Sequence, residues 1–150
     1  MTPAGRGPPL DTDAGRRLVI EVPGRASAIA RARRAVAEFL ARRGVPSVVV
    51  DDMELVTSEL VTNAIIHPPA PVDVVRVEVG ATDTVSVAVS HVGAADAIPP
   101  VESWRPPPPH ALSGRGLAIV KRLTDAVSVR QVGDMAVVTC QRRLPDAGAR

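Results

Sequence analysis

A chain of 150 residues with 45% apolar content can bury a real core as one domain, and its net charge of only +2, with acidic residues interspersed among 18 basic ones, gives no nucleic-acid footprint. With one Phe, one Trp and no Tyr, the core must be built from Val, Leu, Ile and Ala. The lone Cys140 excludes an internal disulfide and a cysteine metal site, and no apolar run approaches the ~18 residues of a membrane span.

Residues 1–15 are rich in Pro, Gly and small residues, which predicts a disordered tail without the apolar stretch of a signal peptide and so a cytoplasmic protein. One domain is expected over 16–144, with a second loose tail at 145–150. Leu18 to Val22 reads as a strand ended by the Pro23-Gly24 turn. Ser27 can cap a helix from Ala28 to Arg43, with Gly44 just past its end. Ile29, Ala32, Val36, Phe39 and Leu40 form its apolar face, and the arginines outside that face read as a solvated surface.

The next stretch, Asp51 to His67, predicts a helix that Asp51 or Asp52 caps and that Pro68 ends, because a residue before proline is pushed out of the α region. At ~100° per residue, Asp52, Glu59, Asn63 and His67 fall in one sector, broken only by Val56. A solvated face and a functional site would both present this pattern. Val72 to Val79 and Val85 to Val89 alternate around a turn at Gly80 to Asp83, predicting an antiparallel pair with one wet face.

From Val92 to Leu112 periodicity disappears among prolines, and a loop of ~20 residues without pattern is usually functional or disordered. It leads into Ser113-Gly114-Arg115-Gly116, which opens a helix through about Thr124. Glycines at a helix start let backbone N–H groups approach an anion, and Arg115 adds a cation suited to phosphate, although a glycine pair alone is a weak signal. Two strands, Ala126 to Gln131 and Met135 to Arg142, close the chain around Gly133-Asp134.

Ser58 to His67 (SELVTNAIIH) and Ser113 to Asp125 (SGRGLAIVKRLTD) together resemble the N box and second glycine box of the GHKL ATP-binding superfamily of histidine kinases and gyrase-type ATPases. The nearest likeness is to the small bacterial anti-sigma-factor serine/threonine kinases, over about Leu18 to Leu144. The resemblance implies a Bergerat-type two-layer α/β sandwich, with a mixed, mainly antiparallel sheet and three helices on one face. It implies ATP and Mg²⁺ as cofactors, with Asn63 holding the metal and Glu59 as general base toward a substrate hydroxyl. The i,i+4 spacing suits those roles, since it places both groups ~6 Å apart on one helix face. Gly114, Arg115, Gly116 and Leu117 would hold the phosphates, and His67 matches a common family position. His91 and Gly93 fall on the adenine-binding box, but His91 stands where the family has an aspartate and Ala95 where it has a glycine. Replacing a charged acceptor by an imidazole costs on the order of 1.5–3 kcal/mol, roughly ten- to a hundredfold in affinity.

Two functions are therefore expected. The first is a kinase that phosphorylates an anti-sigma-factor antagonist or sequesters a sigma factor, as a monomer or homodimer, without nucleic acid or membrane. The second is a non-catalytic module of the same fold that binds protein with weakened or lost nucleotide binding.

Overall fold

The computed structural model describes residues 17–66, 72–106 and 116–146. Strand β1 (Arg17–Pro23) precedes helices α1 (Ile29–Arg42) and α2 (Ser47–Ile66), followed by strands β2 (Val74–Ala81) and β3 (Thr84–Val92). Helix α3 (Gly116–Leu123) and strands β4 (Ala126–Val132) and β5 (Met135–Arg143) complete the order. The five strands form one sheet in the order β1-β2-β3-β5-β4, and every described pairing is antiparallel. This is the expected two-layer α/β sandwich, except that the sheet is wholly antiparallel among the described strands and not mixed, because each strand pairs with a neighbour running the opposite way.

The valine alternation sets the register. Val75, Val77 and Val79 of β2 and Val85, Val87 and Val89 of β3 are all buried, while the residues between them face the other way. Cross-strand pairing turns these positions into rows. One row runs Leu18–Val79–Val87–Cys140–Val127 and the next Ile20–Val77–Val89–Val138–Val129. The rows meet Ala32, Val36 and Leu40 of α1 and Met53, Val56, Leu60 and Val61 of α2 in one core. The sheet's other face carries polar pairs such as Arg17–Glu78 at 3.0 Å, giving the alternation of a half-covered sheet.

Helix boundaries depart from the sequence reading at two starts. Ser27 does not cap α1: it lies in a 3₁₀ turn (Ala26–Ala28), and the α1 N-cap, Ala28, makes no side-chain cap bond. Helix α2 begins at Ser47, one turn before Asp51, because the Pro46 carbonyl accepts from the amides of Val49 and Val50. Asp51 and Asp52 are thus inside the helix. At the end of α1, Gly44 has φ +77, its amide bonds to the Ala41 carbonyl, and Val45 N–H reaches the Leu40 carbonyl. That pair of bonds is a Schellman closure, which needs the left-handed conformation glycine adopts without strain. The described part of helix α2 runs to Ile66, and its expected end near His67, before Pro68, lies outside the described residues.

The segment after β3 is not patternless throughout. Two 3₁₀ turns (Ala95–Ala97 and Val101–Ser103) lie between Val92 and Arg105, and Trp104 is only 4% exposed, inside the core. Its indole Nε1 donates to the Pro99 carbonyl at 2.8 Å, which anchors the turn beneath it. The expected N-terminal tail, residues 147–150 of the C-terminal one, His67, Gly114, Arg115 and the prolines 107–109 lie outside the described residues.

Candidate functional site

Helix α2 carries its polar sector toward α3 rather than into open solvent. Asp52, at the start of that sector, accepts from Arg142 Nη1 at 2.7 Å. The same Nη1 donates to the Leu123 carbonyl at 3.0 Å, so one guanidinium ties α2, β5 and the end of α3 together. Two turns along α2, Glu59 meets the opposite end of α3. A Cβ placed on Gly116 would lie 2.5 Å from Glu59 Oε2, so the carboxylate fits only because residue 116 has no side chain. Asn63 follows one turn later.

Glu59, Asn63, Gly116 and Leu117 line a cleft of about 1420 Å³ that also takes in His91 and Gly93 at the end of β3. Thus six of the eight candidate residues share one cavity, while Gly114 and Arg115 fall outside the described residues. Ile98, Trp104 and Met135 supply much of the apolar wall. Among the described residues no cluster of three or more His, Cys, Asp or Glu could hold a metal. A Mg²⁺ ion here would depend on Asn63, waters and ligand oxygens, which is the habit of that hard, reluctantly dehydrated cation.

The base of the cleft comes from a third row of the sheet. In phase with the buried valines, His91 and Gln131 each stand opposite the small Ala136 on β5. His91 is 7% exposed, and burial pushes its pKa below the ordinary value because desolvation penalises the imidazolium. Its ring turns along the chain: Nε2 and Cδ2 both lie 3.1 Å from where a Gly93 Cβ would be. Gln131 fixes that stretch of backbone. Its Oε1 accepts from the Ala95 amide at 2.6 Å, and its Nε2 donates to the carbonyls of Gly93 at 3.0 Å and Gly133 at 3.1 Å. The Gly93 amide in turn donates to the Asp134 carbonyl at 2.9 Å.

The sequence reading overlooked Gln131, Arg142 and the burial of Trp104. A signal existed for the first two, because each holds the inward phase of its own strand, Gln131 with Val127 and Val129 and Arg142 with Val138 and Cys140. The arrangement offers two chemistries: a carboxylate and a carboxamide beside a glycine-opened helix start, and a neutral imidazole facing an apolar chamber.

A model of the histidine kinase-like ATPase domain matches residues 22–142. None of the curated proteins matches the chain. Its fold recurs in a number of solved structures, two of them from bacterial proteins as follows. The structure of the RsbU and RsbW domains of Rv1364c from Mycobacterium tuberculosis superposes with a TM-score of 0.61 at 21% identity, covering 85% of this chain and 32% of that one. The chain thus spans about a third of that protein's length. The SiaB–SiaC complex from Pseudomonas aeruginosa gives a TM-score of 0.55 at 16% identity, covering 83% of this chain and 88% of that one.

Proposed function

The chain belongs to the histidine kinase-like ATPase domain family, and from that premise we propose that it is an ATP-dependent regulator acting on a protein partner, by serine/threonine phosphorylation or by sequestration. The observation that carries this reading is the seat of Glu59 against Gly116, with Asn63 one turn away in the same cleft. Bound ATP supplies the transferable phosphoryl group together with the charge that Mg²⁺ offsets. Asn63 offers a neutral oxygen to the cation. Gly116 leaves its backbone open to close approach by an anion, and Arg115 adds a fixed positive charge. Glu59, held on a helix rather than a loop, takes the proton of an incoming hydroxyl. Positioning and charge neutralisation of this kind account for most of the catalysis in phosphoryl transfer.

The neighbours support a protein partner, since one was solved as a complex of SiaB with SiaC and the other contains an RsbW domain. An anti-sigma-factor antagonist or a sigma factor is the partner class we assign, with a homodimer as the working assembly. No helix among the described residues is long and apolar enough to cross a membrane.

His91 favours a second reading, a module that binds protein without turning over nucleotide, because an imidazole stands where the family has an acceptor-only carboxylate. Calorimetric titration with Mg-ATP separates the two. Saturable binding, with Glu59→Ala sparing affinity but abolishing transfer to a serine-bearing partner, supports the kinase. No heat at millimolar ATP leaves the binding module.

A further inference from the structure

The base chamber has its own logic, and the inference drawn from it rests on the nucleotide reading above. We propose that His91 reads the base edge of the nucleotide through Nε2 and admits keto as well as amino purines, so that the site takes GTP and ITP alongside ATP. Three observations carry this. First, His91 is the buried ionisable side chain of the cleft lining, 7% exposed, whereas Glu21, Asp73 and Arg105 on the same lining are exposed and Glu59 and Arg76 half-buried.

Second, the ring has a defined direction. Its Nε2 edge lies over Gly93, and that backbone is held at both ends, by the Asp134 carbonyl and by Gln131. A side chain there would meet the imidazole at 3.1 Å, so Gly93 sets where the nitrogen sits. Third, Ile98, Trp104, Leu117 and Met135 supply an apolar part of the same lining, on which the charged side chains, Glu21, Glu59, Asp73, Arg76 and Arg105, are all less buried than His91.

The chemistry follows from the two tautomers. A neutral imidazole has one N–H donor and one lone-pair acceptor, and either nitrogen can carry the proton. With the lone pair on Nε2 the ring accepts from the exocyclic amino group of adenine. With the proton there, it donates to the carbonyl of guanine or hypoxanthine. A carboxylate in the same place accepts only, and it opposes a carbonyl oxygen. Burial, which lowers the pKa, keeps the ring in the neutral form that has this choice.

The test is titration of the intact chain with Mg-ATP, Mg-GTP and Mg-ITP near neutral pH, with Mg-tripolyphosphate as a base-free probe. ATP and GTP should bind within about fivefold of each other, and His91→Asp should move the ratio toward ATP by roughly ten- to a hundredfold. His91→Asn, which keeps one donor and one acceptor, should retain the relaxed ratio while reporting that the fold tolerates a change at this position. Unmutated protein favouring ATP by more than about fiftyfold, or a ratio unmoved by His91→Asp, overturns the proposal and leaves the nucleotide site standing. Silence with all three nucleotides and with tripolyphosphate overturns the nucleotide site, and this proposal with it.

Discussion

Substituting alanine for Gly116 separates folding from function at a single atom. The added Cβ would lie 2.5 Å from Glu59 Oε2, where ordinary van der Waals contact begins at 3.4 Å, so one of the two must yield by 3.4 − 2.5 = 0.9 Å. Glu59 is the partner able to move, because its carboxylate is the end of a flexible side chain on a partly exposed position. The fold should hardly notice. Alanine's helix preference over glycine, up to about 1 kcal/mol in a helix interior and less at the first position, offsets part of the rotamer change in Glu59. Catalytic geometry is far less tolerant, since a misplacement of ~1 Å can cost about a hundredfold in rate. Gly116→Ala should therefore melt within about 1 kcal/mol of the unmutated chain while losing roughly a hundredfold in phosphate transfer. Denaturant unfolding followed by Trp104 emission and a transfer assay at saturating Mg-ATP give the two readings. Full transfer by a stably folded variant would refute the claim that Glu59 works from its seat on Gly116.

Arg142→Ala removes the bonds to Asp52 and the Leu123 carbonyl, both part-buried, and should cost about 1–2 kcal/mol in urea unfolding. Gln131→Ala should leave global stability within about 1 kcal/mol but raise amide exchange at Ala95, since its Oε1 is the acceptor of that N–H. His91 gives the chain a pH-dependent leg. Its folded pKa is lowered, so between the folded and unfolded values the unfolded chain binds more protons. Stability is thus full above the ordinary value of 6.5 and declines as pH falls below it, a decline that His91→Asn should flatten in melting curves taken across that range. Cys140, buried and pushed up to about 12, should resist iodoacetamide in the native state and react only on unfolding.

Much of this architecture was legible because valine alternation is a geometric instruction. With period two, a strand that buries Val75, Val77 and Val79 has one register that matches Val85, Val87 and Val89, and the sheet order builds on it. The α2 start was not legible from capping residues, because the carbonyl of Pro46 supplied the acceptor and carried the helix back over Val48 to Val50. The segment 93–106 hid its order for another reason. Its turns are 3₁₀ and its prolines set φ locally, so no period exists, and a single buried indole does the anchoring. Gln131 and Arg142 were read as strand ends, although they hold the inward phase of Val129 and Cys140. A polar residue in an inward phase must find partners or reach a cavity, which makes such positions the ones to question first.

The two ends of the cleft are consequently built by different physical means. Glu59 and Gly116 meet where two helices are held together at their far ends by Arg142, so the geometry of the acid–glycine contact depends on helix packing. His91 and Gly93 belong to the last row of the sheet, and Gln131 locks that row from the neighbouring strand, so their geometry depends on strand register. One scaffold can then keep its arrangement of carboxylate and carboxamide while the other carries a neutral imidazole in place of a charged group. That independence makes an altered row end at His91 compatible with an intact α2–α3 junction, so nucleotide titration, and not the packing, separates a changed choice of nucleotide from its loss.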